Sequence, residues 1–89
     1  MKGKRLYVGN LNYSINRQEL GELFSEYGKV DFVRIIKNKG FGFVQMNNIN
    51  SANLAIEDLN GIVFHGRKIK VAEAKRKKII PKLIVKEYS

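Results

Sequence analysis

The octapeptide Lys39-Gly40-Phe41-Gly42-Phe43-Val44-Gln45-Met46 does not alternate apolar and polar residues as a half-solvated strand does. Extended backbone sends successive side chains to opposite faces, so Phe41, Phe43 and Gln45 fall on one side and Gly42, Val44 and Met46 on the other. Glycine weakens a strand and is best explained where another backbone or a helix comes close. Gly42, Val44 and Met46 are therefore expected to form the packed face. Two phenylalanine rings then stand on the opposite face, and what covers them is the question for the whole chain.

The flanking sequence supplies neighbours for this strand. Arg5 to Leu11 has strand character, with Leu6 and Val8 on one face and Tyr7 on the other. Asn12 to Ile15 reads as loop. Asn16 with Glu19 fits a capping box, and Leu20, Leu23, Phe24 and Tyr27 recur at helical spacing until Gly28, about three turns in all. Val30 to Ile36 is rich in β-branched residues and predicts a second strand, Val33 and Ile35 inward, Phe32 and Arg34 outward. Val30 is also expected inward, which requires a local irregularity. Lys37-Asn38-Lys39-Gly40 makes a tight turn, so strands two and three should pair antiparallel. Asn50 or Ser51 is expected to cap a second helix whose stripe is Ala52, Ala55, Ile56 and Leu59, ended by Gly61. A minor hairpin over Val63 to Lys68 follows. Lys68 to Glu73 is the last strand, Ile69 and Val71 inward, Lys70 and Ala72 outward. The order βαββαβ predicts an α+β, ferredoxin-like fold, with two helices on one face of a four-stranded antiparallel sheet.

Eighty-nine residues suffice for one core and not two. Residues 1–4 read as a basic leader, 5–75 as the domain and 76–89 as a basic and apolar C-terminal extension. The chain has no cysteine, which excludes disulfides and thiolate metal sites and permits a reducing compartment; no apolar run of signal or membrane-spanning length appears. An intracellular location, cytoplasm or nucleus, is expected. Lysine and arginine number 17 against 8 acids, a formal +9 that points to a polyanionic partner. From Lys75 onward the tail holds six of those bases and one of the acids, so it carries more than half of the excess. Within the domain, Glu19, Glu22, Glu26, Glu57 and Asp58 are assigned to helices, whereas Arg34, Lys37, Lys39 and Lys70 are assigned to strands or the turn between them.

By the period-two rule Tyr7, Phe41 and Phe43 all point away from the helices, with Arg34, Lys39 and Lys70 around them. Rings that offer their faces to unstacked bases, beside cations that meet phosphates, are the usual means of binding single-stranded nucleic acid. Aromatic strand residues are more often core, but the helix side already has Leu6, Val8, Leu20, Leu23, Phe24, Val33, Ile35, Val44, Met46, Ala55, Ile56, Leu59, Ile69 and Val71. An uncovered apolar patch with a basic rim marks an interaction surface. Tyr13 and Phe64 are expected at the edges of the core. His65, beside Gly66 in a turn, reads as an ordinary surface residue. With one histidine, no paired carboxylates and no phosphate-loop motif, the chain shows no catalytic or metal site and calls for no cofactor.

These residues resemble the RNA recognition motif family. Leu6-Tyr7-Val8-Gly9-Asn10-Leu11 matches that family's RNP2 hexamer, and Lys39 to Met46 matches its RNP1 octamer except at Met46, where an aromatic is usual. The resemblance covers about Arg5 to Lys75. It implies the sheet order 4-1-3-2, with the two motifs side by side at the centre. It further implies that Tyr7 and Phe43 stack on successive bases, Phe41 lies against the sugars and Lys39 meets a phosphate. Lys75, leaving the last strand next to this face, joins the candidate RNA-binding residues Tyr7, Phe41, Phe43, Lys39, Arg34 and Lys70. The expected partner is single-stranded RNA, with single-stranded DNA as an open alternative. A monomer without membrane contact is expected, its C-terminal extension available for a protein contact. Protein recognition on the same scaffold is the competing function.

Overall fold

The computed structural model describes residues 4–36 and 38–74. The expected Lys75 site, the basic run after it and the extension to Ser89 lie outside the described residues, as does Lys37 of the turn. The chain runs β1 (Arg5–Gly9), α1 (Arg17–Ser25), β2 (Val30–Ile36), β3 (Phe41–Met46), α2 (Ile49–Leu59), β4 (Val63–Phe64), β5 (Arg67–Lys68) and β6 (Lys70–Glu73). The main sheet is antiparallel in the order β2-β3-β1-β6, which is the expected 4-1-3-2 with β6 as its fourth strand. β4 and β5 pair separately as the minor hairpin, around His65 and Gly66, both at positive φ.

One face of the main sheet is sealed. Leu6, Val8, Val44, Met46 and Val71 are buried there against Leu20 and Phe24 of α1 and Ala52, Ala55 and Leu59 of α2. Leu23, Val33, Ile35 and Ile56 pack on this core without being fully enclosed. Leu11, read from the sequence as the end of the first strand, lies beyond β1, which stops at Gly9, and Ile15 is in the expected loop; both are nonetheless buried in the core. Full enclosure of a Leu- or Phe-sized side chain stabilises by roughly 1.5–3 kcal/mol, so these residues are a large share of what fixes the helices to the sheet.

The helix ends follow local chemistry. Asn16 Oδ1 accepts from the Glu19 backbone N–H at 2.8 Å and Glu19 Oε1 accepts from the Asn16 N–H at 3.0 Å, completing the capping box. The helix is shorter than expected, ending at Ser25 with Glu26 as its C-cap, two residues before Gly28. α2 begins earlier than expected: Asn48, not Asn50 or Ser51, is the N-cap, its Oδ1 accepting from the Ser51 N–H at 2.8 Å. The Ser51 side chain has a different task. It is 8% exposed and seated against Gly28, whose φ of +147° and missing side chain admit it. A Cβ at Gly28 would lie 2.7 Å from that of Ser51. Tyr27, just before, packs on the core and hydrogen-bonds Asp58 of α2.

β2 contains the irregularity that Val30 required. Val30 pairs with Met46 and Phe32 with Gln45, leaving Asp31 unmatched between them. From Phe32 onward every odd residue faces the core and every even one the opposite side. Ile69 precedes β6 yet is buried, its N–H bonded to the Ile62 carbonyl. The last strand is therefore shorter than the sequence suggested, because residues 67 and 68 belong to the minor hairpin.

Candidate nucleic-acid interface

Register fixes what stands on the uncovered face. Residues directly paired across antiparallel strands share a side, so the face is built of cross-strand rows. The first runs Lys70, Gly9, Phe41, Ile36; the second Ala72, Tyr7, Phe43, Arg34; the third Arg5, Gln45, Phe32. Three cations stand on these rows, and none of their residues is acidic. A polyanion approaching this side therefore meets rings and positive charge.

The three predicted rings form a mutual cluster. Tyr7 and Phe41 have centroids 5.8 Å apart and planes tilted by 34°, while Phe43 meets Tyr7 at 6.0 Å and 65° and Phe41 at 6.0 Å and 86°. Edge-to-face contacts of this kind contribute about 0.5–1.5 kcal/mol each and hold the rings in place without a covering layer. Tyr7 lies along its own strand over Gly9. A Cβ at Gly9 would sit 2.8 Å from Tyr7 Cε2 and Cζ and closer still to its hydroxyl, so only glycine lets this ring lie down on the sheet. Gly42, on the sealed side, answers a different neighbour: a Cβ there would strike the Arg34 carbonyl oxygen and lie 3.1 Å from Ile35 Cα. The close approach inferred at Gly42 is thus the backbone of β2 rather than a helix.

The predicted cations are distributed around the rings. Arg34 is exposed and paired with Phe43, and Lys70 is exposed beside Gly9 at the β6 side. Lys39 stands in the β2–β3 turn, where Asn38 and Gly40 both take positive φ (62° and 72°), and lines a cleft shared with Tyr7 and Phe41. One cation was overlooked. Arg5 lies two residues before Tyr7, hence on the same face, and its guanidinium carbon is 4.9 Å from the Phe43 centroid and 5.9 Å from that of Phe32. The signal was in the sequence: the same parity that places Tyr7 places Arg5. Its Nε is buried and has no hydrogen-bond partner among the described residues.

Phe32 is 42% exposed at the β2 side, a fourth ring on the same surface. Tyr13 departs from its expected place at the core edge: it is 68% exposed, in the non-regular chain between the buried Leu11 and Ile15. Phe64 does pack on the core. His65 Nε2 is 3.5 Å from Glu19 Oε2, a partly exposed pairing on the helix side. Among the described residues no group of three or more His, Asp or Glu could hold a metal, and no helix is long and apolar enough to cross a membrane.

A four-stranded sheet sealed by two helices on one side and presenting contacting rings with cations on the other defines an open-faced α+β binding domain. The RNA recognition motif family model matches residues 6–70, and the chain belongs to that family. It is 44% identical to the chloroplastic RNA-binding protein CP31B of Arabidopsis thaliana over 79 residues, covering 82% of this chain and 27% of that protein. The chain thus spans about a quarter of the length of the curated relatives it first matches. Among solved structures, the RNA-binding protein PG1 superposes with a TM-score of 0.79 at 40% identity, covering 85% of this chain and 99% of that one. The Sxl-lethal protein in complex with RNA gives 0.81 at 27% identity, covering 85% and 49%.

Proposed function

We propose that this domain is a non-enzymatic module that binds single-stranded RNA across its uncovered sheet face. The observation that carries the reading is the cluster of Tyr7, Phe41 and Phe43 standing opposite the helices, among rows that hold Arg5, Arg34 and Lys70 and no carboxylate. Family membership and an RNA complex among the structural relatives support it. In this reading Tyr7 and Phe43 stack on neighbouring bases and Phe41 lies against the sugars. Lys39, Arg34, Lys70 and, beyond the described residues, Lys75 meet phosphates. Such phosphate contacts add affinity without reading sequence. The unit runs from residue 5 to 75 and acts as a monomer inside the cell, with residues 76–89 as an appendage available to a protein partner.

Base stacking contributes roughly 1–3 kcal/mol per base by alanine substitution, so the double variant F41A/F43A is expected to lose at least about tenfold in affinity for single-stranded RNA. Fluorescence anisotropy titration measures this. An unchanged affinity would refute the site. The log of affinity should also fall with log salt by roughly 0.7 per phosphate engaged, and the same titrations with DNA of matched sequence test whether the 2′-hydroxyl matters.

A further inference from the structure

Asn60 is the only asparagine in the chain that a glycine follows. Such a pair is prone to a spontaneous rearrangement, in which the glycine backbone nitrogen, unhindered by a side chain of its own, attacks the asparagine Cγ. The Gly61 N–H proton passes to solvent, the side-chain nitrogen leaves as ammonia, and a cyclic imide closes. Water then opens the imide at either carbonyl, giving aspartate or, with the main chain rerouted through the side-chain carbons, isoaspartate. Nothing is oxidised or reduced, and water is the co-reactant.

In the folded chain both reacting groups are engaged. Asn60 is the C-cap of α2 and is exposed, so water reaches it. Its Oδ1, however, accepts from the Val71 N–H at 2.9 Å, and the Gly61 N–H donates to the Ile69 carbonyl at 2.8 Å. One bond holds Cγ in place and the other occupies the attacking nitrogen, so ring closure requires both to break. Both partners lie on the same piece of chain, the entry to β6, which is an edge strand paired on one side only, with β1. Sheet edges open more readily than core strands. Two features hold this entry down. Ile69 and Val71 are buried, and the residues just before them are fastened to the end of β1. Asn10, at φ +58°, donates from Nδ2 to the Lys68 carbonyl at 2.7 Å and accepts at Oδ1 from Arg67 Nη2 at 2.6 Å. Lys70, between the two buried residues, stands on the uncovered face.

We propose that Asn60 is a deamidation site gated by the entry to β6. It converts through the state in which Ile69 and Val71 have let go of it, and single-stranded RNA lying across β1, β3 and β6 slows conversion by holding that entry shut. The second half rests on the RNA-binding reading; the first does not. A ligand that prefers the closed state lowers the open population by linkage. Isoaspartate adds a methylene to the main chain between α2 and β6, so the Val71 N–H loses its acceptor and Lys70 its position. Molecules without RNA therefore lose the binding face with age, while occupied ones keep it.

Conversion is followed on the full chain at neutral pH by peptide mapping with mass spectrometry, which separates the isoaspartate and aspartate products. The folded chain is expected to convert at least about tenfold more slowly than the same chain in guanidinium chloride, since two hydrogen bonds must break together. Equal rates would overturn the gate. Asn10→Gly keeps the positive φ and removes the clasp on Arg67 and Lys68, and should speed conversion about fivefold. Asn16→Ala weakens the α1 cap by a comparable amount and should leave the rate within about twofold of wild type. A wild-type rate for Asn10→Gly, or equal acceleration by the two variants, would place the gate in global unfolding and refute it. A saturating pool of RNA octamers should slow wild-type conversion at least about threefold further. Binding confirmed by anisotropy with an unchanged rate would overturn the coupling and leave the binding face intact. Absence of binding would remove the RNA-binding reading and the coupling with it, the gate still standing or falling on the first comparisons. The purified isoaspartate form should bind RNA more weakly than the aspartate form, which keeps an acceptor for Val71, and equal affinities would refute the loss with age.

Discussion

Gly9→Ala separates what holds the sheet together from what the sheet presents. Gly9 is not at positive φ, so its backbone accepts alanine without strain. What the new methyl meets is the Tyr7 ring, with Cε2 and Cζ at 2.8 Å, at least about half an ångström inside ordinary contact distance. The ring is the far end of a rotatable side chain and gives way, whereas strand pairing on either side is untouched. Alanine in place of glycine within a strand gains about 0.5–1 kcal/mol. Against this stands partial loss of the Tyr7 contacts to Phe41 and Phe43, each worth roughly 0.5–1.5 kcal/mol. The two nearly offset, so urea unfolding should place the variant within about 1 kcal/mol of wild type. Affinity for single-stranded RNA should nonetheless fall about fivefold, the lower end of a lost base stack, with Tyr7→Ala setting the full loss. Destabilisation beyond about 2 kcal/mol would show that backbone, not ring, had yielded. Full retention of affinity would show that the flat Tyr7 ring is not a base platform.

Gly42→Ala should behave in the opposite way, because its methyl meets the Arg34 carbonyl and Ile35 Cα, which cannot swing aside. A loss of about 1–3 kcal/mol in the same unfolding assay is expected, and an unfolding midpoint equal to wild type would contradict it. Desolvation, then the charge of Asp58 and its hydrogen bond, and more weakly Glu26, raise the Tyr27 phenol above the ordinary value of 10.0. The unfolded chain therefore gives up this proton first, so the contribution of Tyr27 to stability is intact below pH 10.0 and disappears as pH rises through the higher folded value. An ultraviolet phenolate titration should show a late component that Tyr27→Phe removes; the same final phase in the variant would rule the assignment out.

Much of this architecture was legible because period-two and helical patterns, turn glycines and the Asn16/Glu19 pair all pointed to one topology. Even the break in β2 was visible, since Val30 and Val33 cannot both face inward in an unbroken alternation. Most of the departures share a cause: local signals are outranked by tertiary seating. Ser51 has good capping chemistry but is drawn into the seat at Gly28, leaving Asn48 to cap. Leu11 and Ile15 sit in non-regular chain, where periodicity gives no warning that they are core while Tyr13 between them is exposed. Arg5 is a different case: it shares the parity of Tyr7, two residues on, so its place on the open face is local information. The clasp of Asn10 on Arg67 joins residues 57 positions apart, a proximity that no local pattern encodes.

The unmatched Asp31 decides the sign of the charge that RNA would meet. Were β2 to run on from Val30 without it, residues 31, 33 and 35 would lie opposite Gln45, Phe43 and Phe41, presenting a carboxylate and two aliphatics outward and driving Arg34 beneath the helices. One supernumerary residue reverses that parity. It sends Asp31 aside, where its Oδ1 accepts from Asn47 Nδ2 at 3.2 Å, and delivers a ring and a guanidinium to the outer surface in its place.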